Sequence, residues 1–177
     1  ETTLSGLTDI PEPSARNIAL RVIPAAERAL REGHPWLFAD SIREQSHKGT
    51  PGDLAVVFDR KGRFLAVGLY DPHSSIRVRV LQHGEPAPIE RAWFAARLKA
   101  SAARRASLRE RPAAERTTGY RLAHGENDGL PGLVVDRYEE TLVIKLYTAA
   151  WVPHLSDVLK ALTDIAPARQ LVLRLGR

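Results

Sequence analysis

The chain has 177 residues, 44% hydrophobic and 27% charged, with a formal charge of +5. The balance is that of a soluble globular protein. The absence of cysteine excludes a disulfide framework, a zinc-thiolate site and a thiol nucleophile within these residues. No apolar run approaches the ~20 residues of a membrane helix, and no basic-then-apolar leader pattern opens the chain, so a cytoplasmic setting is expected. The chain holds no methionine and starts at Glu1, so it is expected to be a piece of a longer protein. The charge is uneven: residues 16–84 carry 11 basic against 7 acidic side chains, and 85–118 carry 8 against 4. A basic first two-thirds fits a polyanion partner such as nucleic acid; a merely solvated basic surface fits as well.

Residues 1–15 lack periodicity, hold two prolines and read as a tail or linker. "NIALRVIP" alternates as a strand, and Pro24 can start a helix, "AAERALREG", with Gly33 as its stop. "HPWLFADSIRE" is extended, and "HKGTPGD" is turn chemistry. "LAVVFD" and "FLAVGLYD" form a hairpin across "RKGR". "IRVRVLQ" has period two, with Ile76, Val78 and Val80 on one face and Arg77 and Arg79 on the other. Strands this short and closely spaced, with one helix, predict a small closed β domain over 16–84. "HGEPAP" marks a boundary. Residues 89–111 are rich in helix formers, and 85–118 reads as a connecting basic helix whose second half is wet. From 119 to 177 a meander is expected: "YRLAHG", "ENDGLPG", "LVVDRY", "EET" and a strand over "TLVIKLYTAAW". A helix with Leu155, Val158, Leu159 and Leu162 at helical spacing follows, then the strand "ARQLVLRLG". The fold class is α+β.

Several residues are candidates for chemistry. Arg77 and Arg79 on one strand face, with Arg60, Lys61 and Arg63 in the preceding hairpin, could track phosphates; an exposed strand face that blunts edge pairing accounts for the same arginines. Trp36 could stack on a base, but beside Leu37 and Phe38 it reads first as core. The six histidines, His34 among them, show no ligand spacing, so no metal site is expected. Glu126, Asp128 and Asp136 could form a carboxylate site. Against that, Asp128-Gly129 and Pro131-Gly132 are turn dipeptides in which glycine supplies positive φ. No phosphate-cradling or dinucleotide glycine motif and no G-x-S-x-G elbow occurs.

Two stretches carry a resemblance. "RVIPAAERALREGHPWLFADSIRE" with "GDLAVVFDRKGRFLAVGLYDPHSSIRVRVL" resembles the PUA domain that opens a family of bacterial rRNA methyltransferases. "GYRLAHGENDGLPGLVVDRYEETLVIKLYTAAW" resembles the domain that follows it there. The family is the large-subunit rRNA methyltransferase I type, which makes 5-methylcytosine in 23S rRNA with S-adenosylmethionine. The resemblance implies a PUA-type β pseudo-barrel and then a strand-strand-helix-strand-strand domain. A Rossmann-like methyltransferase domain, absent from these residues, completes the family's architecture.

On this resemblance the chain is the RNA-docking N-terminal portion of an rRNA cytosine-C5 methyltransferase, inactive alone and without a catalytic residue or cofactor site. In the parent, a cysteine thiolate adds to C6 and C5 takes the methyl group from the sulfonium. The partner is 23S rRNA, held mainly by shape and phosphate contacts. Charge and placement nominate Arg43, Lys48, Lys61, Arg77 and Arg79 for RNA contact, then Arg104 and Arg105. Glu126 and Asp128 could line a cleft facing the missing domain. The rival readings are a stand-alone PUA-containing RNA-binding protein, another PUA-bearing modifier such as a pseudouridine synthase, and a protein-interaction domain without RNA affinity. Neither the target nucleotide nor the oligomeric state, a dimer included, is legible.

Overall fold

The computed structural model describes residues 9–112 and 114–176, and the chain divides into two compact units. One is built from residues 11–88 with 148–154; the other from 89–147 and from 155 onward. The tail expected over 1–15 falls largely outside the described residues.

In the first unit, β1 (Ile18–Val22), β2 (Trp36–Phe38), β3 (Ile42–Gln45), β4 (Leu54–Phe58), β5 (Phe64–Tyr70) and β6 (Ile76–His83) form one sheet in the order β2-β6-β5-β4-β1-β3. β1 and β4 pair in parallel and the remaining neighbours are antiparallel. β2 and β3 end the sheet, which curls into a half-barrel, consistent with the PUA-type β pseudo-barrel expected. Strict alternation along β1 sends Ile18, Leu20 and Val22 into the core, where they meet Ala55, Val57, Val78 and Val80. Helix α1 (Pro24–Arg31) contributes Leu30, 1% exposed. Pro24 opens it where its missing N–H costs nothing. At its end Gly33 has φ +87°, and the His34 and Gly33 N–H groups donate to the Ala29 and Leu30 carbonyls. That paired bonding is the glycine-dependent helix stop, and it aims the chain at His34 and β2.

Residues 148–154 complete this unit from far along the sequence. The Thr148 hydroxyl donates to Asp71 Oδ2 at 2.6 Å, His154 Nε2 donates to the Gly52 carbonyl at 2.7 Å, and Trp151 is fully buried. The strand expected to run to Trp151 therefore ends at Leu146, and 149–154 form a 3-10 turn.

In the second unit, β7 (Gly119–His124), β8 (Leu133–Tyr138) and β9 (Thr141–Leu146) form an antiparallel meander, and β10 (Gln170–Leu175) pairs in parallel with β9. Helix α2 (Arg91–Ala103) buries Phe94 and Leu98, and α4 (Leu155–Ile165) buries Leu155, Val158, Leu159 and Leu162; the two helices pack together. The order is thus strand-strand-strand-helix-strand, as the meander reading of the residues expects, and it departs from the strand-strand-helix-strand-strand order that the resemblance implies. The Glu139-Glu140 turn, with Glu139 at φ +51°, is too short for anything but a hairpin, so β9 must follow β8 directly. The helix expected over 89–111 stops at Ala103, and a four-residue α3 (Ala106–Arg109) follows. Apolar residues at core spacing end with Leu98, so nothing packs to extend it. Of the segment read as a connector, α2 contributes Phe94 and Leu98 to the second unit's core.

Candidate nucleic-acid interface

The β4–β5 hairpin, Asp59 to Arg63, is organised around one buried carboxylate. Asp59 is 1% exposed. Its Oδ1 accepts the Lys61 and Arg63 N–H groups at 2.8 and 2.9 Å, and its Oδ2 accepts Arg63 Nε and Arg31 Nη2, each at 2.8 Å. The Arg63 backbone bond does most to lower the Asp59 pKa, from 3.8 to about 2; burial opposes it and the Arg63 side chain and Lys61 N–H assist. Glu27 on α1, also buried, accepts the Arg60 N–H at 2.9 Å and Arg31 Nη1 at 3.4 Å. The two acids hold Arg60 and Arg63 near their roots and Arg31 by both terminal nitrogens, while 45%, 71% and 66% of the Arg31, Arg60 and Arg63 side chains stay exposed. With Lys61 the cluster has four cations against two buried anions. Anchored cations that stay exposed are suited to phosphate oxygens.

The other nominated cations are scattered. Arg43 lies exposed on edge strand β3, and Lys48 is exposed in the loop after it. Arg79 is 8% exposed and faces Trp36 on β2 and Leu69 on β5 as register partners; its Nη1 donates to the Ile76 carbonyl at 3.4 Å. Arg77 is half-buried and its guanidinium donates to the Pro72 carbonyl. The wet arginine face expected of β6 is not there: Arg79 is buried, and Arg77 is half-buried with its guanidinium turned to the Pro72 carbonyl. Arg104 and Arg105 are both engaged by Asp128: Nη2 of each stands 2.8 Å from one of its oxygens.

Three rings were not foreseen as a group. Leu37 takes the core position, whereas Trp36 is half-buried and Phe38 is 40% exposed. His34, Trp36 and Phe38 form a cluster with centroids 6.1 to 6.4 Å apart. Beside it lies a depression of about 220 Å³ floored by Ala29 and Leu30 of α1. The signal was present as His-x-Trp-x-Phe, a period-two spacing that puts Trp36 and Phe38 on one face of β2.

ENDGLPG is a turn. Gly125–Asp128 form a 3-10 turn, and Gly129 and Gly132 have φ of +71° and +79°. Leu133 and Val135 then enter the core with no exposure. Asp128, 5% exposed, accepts the His124 N–H at 2.7 Å as well as the two arginines. Burial pushes its pKa up, but the bonds from Arg105 and His124 outweigh that and hold it below 3.8. Asp136 points elsewhere, to Arg121 at 2.8 Å and Lys145 at 3.2 Å. Glu126 is exposed. These three acids do not converge, and among the described residues no group of three or more His, Asp or Glu side chains could hold a metal ion. Nor is any helix among those residues long and apolar enough to cross a membrane.

Residues 20–83, nearly all of the half-barrel, match the family of the PUA-like domain. Over 168 residues the chain is 55% identical to a Deinococcus radiodurans protein named Ribosomal RNA large subunit methyltransferase, covering 94% of this chain and 41% of that protein. The chain is similar over most of its length to proteins named as ribosomal RNA large subunit methyltransferases. A Photobacterium profundum protein named Ribosomal RNA large subunit methyltransferase I is 40% identical over 132 residues, covering 74% of this chain and 32% of its own length. The chain thus spans about two-fifths or less of these relatives. In fold it is similar to a Streptococcus mutans protein assigned as a SAM-dependent methyltransferase (TM-score 0.73, 17% identity, 88% of this chain and 40% of that one). A second solved protein, assigned as a methyltransferase and complexed with SAH, gives 0.71 at 16% identity, with 89% and 40% covered.

Proposed function

We propose that this chain is the RNA-docking N-terminal portion of an S-adenosylmethionine-dependent methyltransferase that acts in the cytoplasm on C5 of a cytosine in 23S rRNA. The observation that carries the docking role is the preset cation cluster on the PUA-like unit: Arg31, Arg60 and Arg63 anchored by Asp59 and Glu27, with Lys61 at the tip. Guanidiniums already held in place lose less freedom on meeting phosphates than free side chains do. Arg43 and Lys48 extend the contact along the same unit. The relatives' names support the rRNA substrate and the methyl transfer, and the likeness to a fold seen with SAH supports the cofactor. The C5 position rests on the family resemblance of ENDGLPGLVVDRY and its neighbours. Within the parent, this portion orients RNA and supplies neither the nucleophile nor the cofactor site. The test is RNA binding by the 177-residue chain to 23S rRNA segments over a salt series. Affinity is expected to fall steeply with salt and to weaken in an Arg60→Glu/Lys61→Glu variant; salt-independent binding, or equal binding by the variant, refutes the assignment.

A further inference from the structure

The second unit holds a polar recess of about 390 Å³ at one end of β7 and β8, lined in part by Arg109, Arg116, Tyr120 and Arg137. Tyr120 and Arg137 are direct register partners across the two strands, so their side chains share a face. That face is the core face of the sheet. Leu133 and Val135 lie on Arg137's side of β8, Leu142 is its partner on β9, and all three are fully buried. Where the apolar face ends, the chain therefore places a phenol and a guanidinium.

Those two groups are incompletely satisfied. Arg137 Nε donates to the Glu139 carbonyl at 2.9 Å and Nη2 to the Pro167 carbonyl at 3.2 Å, which locks the plane of the guanidinium. Its Nη1 is buried and has no hydrogen-bond partner among the described residues, and the same is true of the Tyr120 hydroxyl. A guanidinium nitrogen can only donate. A buried donor left unmade costs free energy, and native structures rarely tolerate one without a use for it. The missing partner is an acceptor. Its charge follows from the surroundings. Arg109 and Arg116 are exposed and form no ion pair among the described residues, whereas Glu140 is already taken by Arg169 at 2.8 Å. The lining thus holds three arginines, Arg137 included, against the Glu139 and Glu140 carboxylates. Thr117 and Thr118 add hydroxyls at the lining.

We infer that this recess binds a phosphate group. Tyr120 Oη–H and Arg137 Nη1–H donate to its oxygens, and Arg109 and Arg116 supply the charge that draws it in. One guanidinium N–H held in plane and a hydroxyl on the same face of the sheet, with two exposed arginines beside them, are donors of the kind that charged phosphate oxygens accept. The phosphate can come from an RNA backbone, in which case the inference rests on the docking role proposed above and adds a second contact to it, or from free phosphate.

The experiment separates these. The 177-residue chain is titrated with inorganic phosphate and with a single-stranded oligouridylate, as wild type and as Tyr120→Phe, Arg109→Gln/Arg116→Gln and Lys61→Glu. Tyr120→Phe deletes only the hydroxyl. It is expected to leave thermal stability without ligand equal or raised, and to weaken binding about tenfold, the size of one hydrogen bond to a charged acceptor. The double variant touches only exposed side chains, so it keeps the inference testable if Tyr120→Phe folds poorly. Loss for both probes supports the site with RNA as the source; loss for inorganic phosphate alone supports it with free phosphate as the source. Unchanged binding of both probes in Tyr120→Phe and in the double variant overturns it, and so does a Tyr120→Phe variant that is less stable without ligand yet binds phosphate normally. RNA binding lost in Lys61→Glu but intact in the other two leaves the docking role standing and this site refuted. Phosphate binding that depends on Tyr120, in a chain with no RNA affinity, does the reverse.

Discussion

Arg105 Nη2 and Asp128 Oδ2 stand 2.8 Å apart, and Arg104 Nη2 meets the other carboxylate oxygen at the same distance. One buried acid thus ties the end of α2 to the turn before β8, and its third bond, from the His124 N–H, ties β7 in as well. Arg104 is more than half exposed, so solvent screens its share; Arg105 is 19% exposed and its bond is the stronger. Asp128→Asn keeps the shape but leaves two guanidiniums without a charge partner. A loss of roughly 2 kcal/mol in unfolding free energy is expected, with Arg104→Ala costing well under 1 kcal/mol. Urea midpoints measure both; an unchanged midpoint for Asp128→Asn shows the cluster to be idle.

The same residues mark where a sequence can and cannot be read. ENDGLPG was legible as a turn because Asp-Gly and Pro-Gly require the positive φ that Gly129 and Gly132 adopt. The alternation of β1 and the apolar spacing of α4 were legible because burial follows period. Long-range partners were not. Arg104 and Asp128 are 24 residues apart, so the reading of one as an RNA contact and the other as a cleft acid missed that each neutralises the other. Arg79 is a second case: its period-two position is right, but its burial depends on what packs over that face, which a local pattern does not show. Nor can local pattern show that 148–154 joins a unit whose other residues end 60 positions earlier. Within the docking site, Lys61 and the turn at Gly62 were legible; the anchoring by Glu27 and Asp59 needed α1 and the hairpin in place.

Stability should fall in acid through Asp59. Its folded pKa is lowered, to about 2 from 3.8. A depressed carboxylate contributes fully above its unfolded value and loses that contribution as pH falls through its folded value. The window is therefore pH 3.8 to about 2, and Asp128 and Asp136, also lowered, act in the same direction. Urea midpoints are expected to drop across that window. Asp59→Asn should be less stable at neutral pH and show a shallower acid decline; a variant with the wild-type acid slope would assign the decline to other groups.

The cations and the rings of the first unit should separate by salt. Each cation withdrawn from a phosphate lowers the slope of log affinity against log salt by roughly 0.7 to 0.9. Arg60→Gln/Lys61→Gln is therefore expected to flatten the slope by about 1.5. Phe38→Ser removes a 40% exposed ring that carries no charge. If a base stacks there, affinity falls by roughly 1–3 kcal/mol with the slope kept. Fluorescence anisotropy at several salt concentrations reads both, and equal slopes for wild type and the Gln pair would remove the hairpin from the interface.

Two glycines with similar backbone angles should respond very differently to alanine. Gly62 sits at φ +76° with nothing within 4 Å of an added Cβ, so Gly62→Ala meets only the left-handed conformational cost of about 1 kcal/mol. Gly52 sits at φ +94°, and its Cβ would lie 2.5 Å from Pro153 Cγ and 2.8 Å from the Ala150 carbonyl oxygen. The carbonyl is backbone and cannot turn aside. The Gly52 carbonyl must also stay in place for His154 Nε2. Gly52→Ala therefore adds overpacking to the same conformational cost, for roughly 3 kcal/mol in all. The difference between the two variants in thermal denaturation reports how firmly 148–154 is seated on the first unit. Equal losses would mean that the segment yields to an added methyl group and contributes little to holding that unit together.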